Sequence, residues 1–310
     1  MRKILWILSV YALLLLNFSA CQSEIEVDLP DYQSKLVVEG YIENGKPAMV
    51  MLSRSIPFFQ HIDLNYVVNN VLVMDAVVTL TTSDGESEQL SFVPSSESPY
   101  MFAYMGNIRG KENTSYDLKI EWKGQTYTST TSILHTFDLD SIGFDQSMEL
   151  LNDTMKTIRA LLTDDPMETN YYQMYVKVHG KNLHDRLWVT TLPVAFDDAT
   201  FSGLQFNVEV MRANPSSFLM PEMTDEEKEE YFRMTYRPGD TVYVKYGLID
   251  YASYQFWCTG GNNAALGQNP FTNPTPTFSN IKGENVTGVW CGYACKTAVL
   301  IYEEPTIDNE

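Results

Sequence analysis

A cysteine at position 21 lies directly after an apolar stretch and is the most reactive side chain near the start of the chain. Residues 4–18 are almost wholly apolar, and two small residues, Ser19 and Ala20, separate them from Cys21. The sulfur of a deprotonated thiol is a strong nucleophile that forms stable thioethers. The position and type of this residue therefore indicate covalent modification at the sulfur of Cys21.

The segment before this cysteine has the layout of a secretory signal. Arg2 and Lys3 form a basic start, residues 4–18 an apolar region, and small residues a cleavage site. A helix of about 15 residues is about 22 Å long, shorter than the ~30 Å hydrocarbon core of a bilayer. The pattern predicts a signal peptide over residues 1–20 rather than a spanning anchor.

The four residues Phe18-Ser19-Ala20-Cys21 resemble the lipobox of bacterial lipoproteins. In such proteins diacylglycerol is attached to the thiol, and the chain is cleaved just before the cysteine. Phe18 occupies the position where the motif usually has leucine. Two or more acyl chains hold a protein stably in a bilayer, so we expect lipidation at Cys21 and a lipidated tether over residues 21–34. An ordinary secreted protein and an uncleaved anchor are the alternatives.

Three further cysteines, Cys258, Cys291 and Cys295, lie near the end of the chain. An odd number leaves at least one thiol unpaired. On one strand, Cys291 and Cys295 would be about 13 Å apart, beyond the ~7 Å limit for a disulfide. The sequence therefore leaves two alternatives: buried thiols, or one disulfide between Cys258 and one of the other two. The four histidines show no metal-ligand spacing with these cysteines, so no metal site is predicted.

Carboxylate pairs are the only other candidates for catalysis. They occur at residues 164–165 and 197–198, but neighbouring side chains on a strand point to opposite faces. The chain contains no nucleophile elbow, phosphate-binding loop or zinc-protease motif. We therefore expect a protein that is not an enzyme and needs no cofactor.

Aromatic residues are the remaining candidates for ligand binding. In the alternating stretch "YYQMYVKV", Tyr172 falls on the apolar face, whereas Tyr171 and Tyr175 fall on the other. Phe271 lies in a stretch of about 27 residues rich in Gly, Asn and Pro, and loops of such length are often functional. Tyr171, Tyr175 and Phe271 are thus candidate ligand-binding residues, and residues 262–280 a candidate binding loop.

The charge of the chain limits its partners. It carries 21 Lys and Arg against 40 Asp and Glu, a net charge of −19. Such a charge disfavours nucleic acid and binding to membranes through a basic patch. The 44% of hydrophobic residues are enough for a substantial core.

Period-two patterns predict a mostly β fold. Asp84-Gly85 lies between two apolar runs, which is typical of a hairpin turn. Residues 116–123 alternate strictly between apolar and polar, as expected for a strand with one buried face. We predict an immunoglobulin-like or transthyretin-like β-sandwich over residues 35–135.

A second β-rich domain is predicted over residues 136–304, followed by an acidic tail at residues 305–310. Two short helices interrupt its strands. Thr224 with Glu227 forms a capping-box pattern before the first helix. Asp250 is the expected cap of the second helix, "YASYQFWC".

The ordered set of these stretches resembles the family of Bacteroidota outer-membrane lipoproteins called domain of unknown function 4249. The matching stretches are "EIEVDLPDYQSKLVVEGYIENGKP", "VVNNVLVMDAVVTLTTSDG", "SYDLKIEWKGQTYTSTTSI", "PGDTVYVKYGLIDYASYQF" and "NPFTNPTPTFSNIKGENVTGVWCGYACKT". The resemblance implies an accessory of a TonB-dependent outer-membrane transporter in nutrient uptake, with no known catalytic residues and an unknown ligand. A structural or adhesive surface lipoprotein is the alternative.

The acidic stretch "QSEIEVD" after Cys21 resembles the signal that directs lipoproteins of that phylum to the outer face of the outer membrane. We therefore expect a lipid-anchored protein that faces the cell exterior.

Mass spectrometry of the native protein tests this location. We expect a mature chain that begins at Cys21 with acyl chains on its sulfur and N-terminus. An unmodified thiol at Cys21, or a mature chain that begins elsewhere, would contradict the lipid anchor.

Overall fold

The fold is mostly β, as the sequence predicts. A computed structural model describes residues 32–57, 60, 63–99, 101–145, 155–213, 224–231, 233–266 and 277–303. The described residues contain these strands: β1 Leu36–Glu43, β2 Pro47–Arg54, β3 Val77–Thr82, β4 Ser87–Pro94, β5 Phe102–Arg109, β6 Thr114–Trp122, β7 Gln125–Ile133, β8 Ser141–Asp145, β9 Thr157–Thr163, β10 Tyr171–His179, β11 Val189–Leu192, β12 Phe196–Asp197, β13 Gln205–Arg212, β14 Thr241–Leu248 and β15 Val286–Ile301.

Helices are few and short. In the described part of the chain they are α1 Leu64–Tyr66, which continues as a π-helical turn over Val67–Val71, α2 Asp225–Tyr231 and α3 Tyr251–Leu266. None of these helices has the length and apolarity needed to cross a bilayer.

Both predicted helix caps are confirmed. The backbone N–H of Glu227 donates to Thr224 Oγ1 at 3.2 Å, and the Glu227 carboxylate accepts from the Thr224 N–H at 2.8 Å. Before α3, Asp250 Oδ1 accepts from the N–H of Ser253 at 2.8 Å. These bonds satisfy N–H groups that have no partner inside the helix.

The local strand predictions in residues 35–135 are also confirmed. β3 and β4 form a hairpin whose turn contains Gly85 at φ +87°. On β6, Tyr116, Leu118 and Ile120 are buried, whereas the residues between them are largely exposed. The immunoglobulin-like or transthyretin-like arrangement of this region stays a prediction.

One strand, β15, joins the two halves of the described fold. The hydrogen-bonded order of the sheet is β7-β6-β3-β4-β5-β2-β1-β15-β14-β10-β11-β13-β9-β8, with β12 beside β10. From Val286 to Tyr293, β15 runs parallel to β1. From Ala294 to Ile301, it runs antiparallel to β14. The described residues from Ser34 onward belong to one compact unit, and the division into two domains between residues 135 and 136 stays a prediction.

Two asparagine side chains satisfy the backbone of β15 near its change of partner. Asn44 Oδ1 accepts from the N–H of Cys295 at 2.7 Å, and its Nδ2 donates to the Cys295 carbonyl at 3.2 Å. Asn280 forms the same pair of bonds with Trp290, at 2.9 and 2.7 Å. Each side-chain amide forms the two hydrogen bonds that the backbone of a neighbouring strand would otherwise form, so these peptide groups of β15 are satisfied.

Glycines allow β1 and β15 to approach closely. A Cβ at Gly288, where φ is +127°, would lie 1.8 Å from the Val38 carbonyl oxygen. A Cβ at Gly40 would lie 2.8 Å from Cε3 of Trp290. The Trp290 side chain is fully buried and donates from Nε1 to the Tyr116 carbonyl at 3.0 Å. It thereby links β15 to β6 across the core.

Helix α3 extends further than the composition of its second half suggests. Residues 259–266 were expected to be loop because they contain two glycines and two asparagines, but α3 continues to Leu266. Thr259 stays helical and donates from Oγ1 to the Gln255 carbonyl at 2.7 Å. Residues 267–276, which include Phe271 and most of the predicted binding loop, lie outside the described residues.

Gly288→Ala tests the dependence on the β1–β15 contact. Because the new Cβ would collide with the Val38 carbonyl at a positive φ, we expect the free energy of unfolding to fall by at least about 2 kcal/mol. Urea denaturation measures it. Gly143→Ala on β8 is the control, since a Cβ at Gly143 meets no heavy atom within 4 Å. Equal midpoints for the two variants would contradict this account.

Candidate functional site

The second face of β10 carries the candidate residues that the structure describes. Tyr172 is buried in the main core, as predicted, and Tyr171 and Tyr175 are half-buried on the opposite face. Gln173 and Lys177 share that face because side chains alternate along a strand. The role of Tyr171 and Tyr175 in ligand binding stays a prediction.

Tyr171 packs against helix α3. Its ring stacks on that of Tyr254 at a centroid distance of 4.7 Å and lies 5.3 Å from that of Tyr251. The Tyr254 hydroxyl donates to Asp197 Oδ2 at 2.9 Å. Tyr171 therefore helps to hold the helix on the sheet, whereas Tyr175 lies away from that helix contact.

Tyr175 belongs to a row of tyrosines across the sheet. Its hydroxyl lies 2.9 Å from that of Tyr293 on β15, and the two rings meet edge to face at 5.9 Å. Tyr41 on β1 meets Tyr293 at 6.2 Å. Burial raises the pKa of Tyr175 and of Tyr293 well above the usual range, so both phenols stay neutral.

Beside Tyr175 lie two lysines that share one aromatic ring. Lys177 Nζ is 5.2 Å and Lys245 Nζ 4.7 Å from the ring centroid of Trp188, and Lys245 Nζ is also 5.3 Å from that of Tyr175. Ammonium groups are attracted to the electron-rich faces of such rings. We call Tyr175, Lys177, Trp188 and Lys245 the lysine–tryptophan cluster.

A buried carboxylate neutralises one of these lysines. Glu43 Oε2 lies 2.9 Å from Lys245 Nζ, and its Oε1 lies 3.0 Å from Lys46 Nζ. Burial alone would raise the pKa of Glu43, but the two ammonium groups outweigh it and hold that pKa below its ordinary value. The Glu43–Lys245 pair is thus charged although both side chains are nearly inaccessible.

Lys177 differs from Lys245, because it forms no ion pair with any described residue. Burial lowers its pKa, which Glu97 opposes; the charges of Lys245 and Lys46 lower the pKa further, and Asp185 opposes them. A half-buried cation without a bound anion is an unfavourable arrangement.

Unpartnered polar atoms are concentrated between α3 and the sheet. Gln173 is 1% exposed, and neither its amide oxygen nor its amide nitrogen has a hydrogen-bond partner in the described structure. Ser253 Oγ and Trp257 Nε1, both on α3, are also buried without a hydrogen-bond partner in the described structure. Buried polar atoms are normally paired, so these groups mark a loosely satisfied contact between the helix and the sheet.

The three described cysteines are free thiols, so the disulfide alternative is not formed. Cys291 and Cys295 are buried on β15, and Cys258 is half-buried on α3. Burial raises the pKa of Cys258 and of Cys291, and it raises that of Cys295 to about 12. These thiols are therefore protonated packing residues.

The predicted carboxylate pairs point apart, as expected. Asp164 is buried and accepts from the Tyr172 hydroxyl, whereas Asp165 is exposed. Asp198 is buried and accepts from the Asn170 N–H at 2.7 Å. In the described part of the chain, no three His, Cys, Asp or Glu side chains are grouped so as to hold a metal ion.

The residues predicted from the sequence did not include Glu43, Lys177, Trp188 or Lys245. A signal was present, because a tyrosine is followed two residues later by a lysine on the second face of both β10 and β14. The partners Glu43 and Trp188 lie outside both strands and depend on the tertiary fold.

The chain is thus a mostly β protein. The second face of its β10 carries aromatic and lysine side chains at one end and is covered by helix α3 at the other. The chain belongs to the family described as domain of unknown function (DUF4249), whose model matches residues 22–298. No curated protein matches the chain.

Glu43→Gln tests the buried ion pair. The substitution leaves Lys245 buried without its opposite charge, and we expect a loss of about 3–5 kcal/mol in the free energy of unfolding near neutral pH. The folded-state pKa of Glu43 is lowered, so its contribution is complete above its ordinary value of 4.5 and is lost as pH falls through the folded value. The difference between wild type and variant should therefore shrink in acid.

Urea denaturation at neutral and acidic pH measures this difference. Glu121→Gln is the control, because Glu121 forms an exposed pair with Lys119 and should change stability by less than about 1 kcal/mol. A difference for Glu43→Gln that is the same at both pH values would contradict the charged pair.

Proposed function

We propose that this protein is a surface lipoprotein, acylated at Cys21 and exposed on the outer membrane. It acts as a non-enzymatic accessory or substrate-binding partner of a TonB-dependent transporter in nutrient uptake. The lipobox-like sequence before Cys21 supports the anchor, and the transporter partner is what the family resemblance implies.

The binding part of this proposal rests on the lysine–tryptophan cluster. Tyr175, Lys177 and Trp188 are each half-buried, so they combine a fixed position with access to solvent. Binding sites typically combine aromatic surface with a few placed polar or charged groups. The cluster has this composition and lies on the face of β10 that the main core does not use.

The carboxylates that were the best catalytic candidates support a non-enzymatic role. Asp164 accepts hydrogen bonds from the Tyr172 hydroxyl and the Gly203 N–H, and Asp198 accepts one from the Asn170 N–H. Groups engaged in this way stabilise loops and strands. They are poorly placed to move a proton to or from a substrate.

Copurification from native membranes tests the partnership. Wild type and Cys21→Ser, each with a C-terminal tag, are extracted in mild detergent and recovered through the tag. We expect a TonB-dependent barrel to be recovered with wild type and to be strongly depleted with Cys21→Ser, which lacks the thiol for acylation. Mass spectrometry identifies the recovered proteins.

Known transporter–lipoprotein pairs in the same extract serve as the control. If they survive extraction while the wild-type protein is recovered alone, the accessory role is wrong, and a structural or adhesive surface protein is favoured.

A further inference from the structure

The lysine–tryptophan cluster groups lysines in a chain that has few of them. The whole chain carries 21 basic and 40 acidic residues. Nevertheless, Lys46, Lys177 and Lys245 are near enough for the charges of Lys46 and Lys245 to lower the pKa of Lys177. Glu43 is the carboxylate in direct contact with this group, and it pairs with Lys46 and Lys245. Glu97 and Asp185 act on Lys177 from a longer distance and form no ion pair with it. Of the three lysines, Lys177 is therefore the one without a carboxylate in contact in the described structure.

Strand register fixes the two cluster lysines next to each other. Lys245 on β14 faces Tyr175 on β10, and Lys177 faces Tyr243. Lys177 and Lys245 are thus diagonal neighbours on one face, a relation in which side chains are about 7–8 Å apart at their bases. Both ammonium groups lie beside the Trp188 ring, so their charges are close to each other.

The surroundings of the Lys177 ammonium group leave it accessible to solvent. Lys177, Trp188 and Tyr243 are half-buried, and the next residues on the same face, Val299 and Ile301 of β15, are 54% and 67% exposed. A ligand can therefore reach Lys177 from solvent. Lys245 is held below it by Glu43, which neutralises its charge and fixes its position.

A purely structural role accounts for Lys245 but not for Lys177. Lys245 has both a buried carboxylate and two aromatic rings as partners. Lys177 has one aromatic ring and, in the described structure, no ion pair. A nearby negative charge would favour its charged form and offset its burial.

We propose that the lysine–tryptophan cluster binds the oxyanion group of a small ligand, with Lys177 as its direct partner. The group is a carboxylate, sulfate or phosphate, and it docks beside the Trp188 ring. This inference names the ligand chemistry of the proposed binding site and rests on the proposed function for its biological setting.

Anion titrations of the mature protein in mild detergent test the proposal. The probes are sulfate, phosphate, acetate and glucuronate, each compared with chloride at equal ionic strength. We expect at least one of them to raise the midpoint of thermal unfolding saturably and to change tryptophan fluorescence. The four probes show which oxyanion, and whether an attached sugar ring, is preferred.

Three variants make the test specific to Lys177. Lys177→Gln should weaken binding at least about tenfold, which corresponds to about 1.4 kcal/mol. Lys177→Arg keeps the charge and should retain binding. Lys119→Gln removes an exposed lysine on β6 and should leave binding unchanged. The unfolding midpoint of Lys177→Gln without anion should not fall below that of wild type, because an unpaired cation is removed.

Two results would overturn the proposal. One is the absence of a saturable response to any of the four anions in wild type. The other is an equal response in Lys177→Gln and wild type. Either result leaves the transporter partnership standing if copurification succeeds, whereas anion binding without copurification overturns only the partnership.

Discussion

The division of β15 between two neighbours is the constraint on which the rest of the structure depends. Its first half pairs with β1, and its second half pairs with β14. A strand that changes partner leaves peptide groups without a neighbouring strand at the junction, and unpaired buried peptide groups are costly. Asn44 and Asn280 remove that cost on opposite sides of the junction. The row of tyrosines and the buried ion pair both span elements that only this arrangement brings together.

Features that depend on neighbouring residues were predictable from the sequence. The hairpin turn at Gly85 and the buried face of β6 each arise from a few adjacent residues. The same holds for the caps at Thr224 and Asp250. The parallel pairing of β1 with β15 was not predictable, because it joins segments about 250 residues apart and alternation along a strand does not identify its partner. The length of α3 was also missed, since glycine and asparagine are poor helix formers and favour a loop prediction.

The candidate site was predictable in part for the same reason. Alternation on β10 separates Tyr175 from the core residues, and this needs no knowledge of the fold. The proximity of Lys177 to Lys245 depends on the register of β14 against β10, which the sequence does not reveal. Glu43 and Lys245 are 202 positions apart, so no local sequence pattern predicts their ion pair. The result is a face on which one lysine is neutralised and its diagonal neighbour is not.

The place of β1 in the sheet also has a mechanical consequence. β1 is the first strand of the described fold, and it has hydrogen-bonded neighbours on both sides, β2 antiparallel and β15 parallel. A pull on the chain that is directed along β1 loads these two ladders in shear, so that many bonds resist together. A strand peeled from an edge would release its bonds one at a time. The end of the described fold nearest the N-terminus is therefore held against traction by two ladders at once.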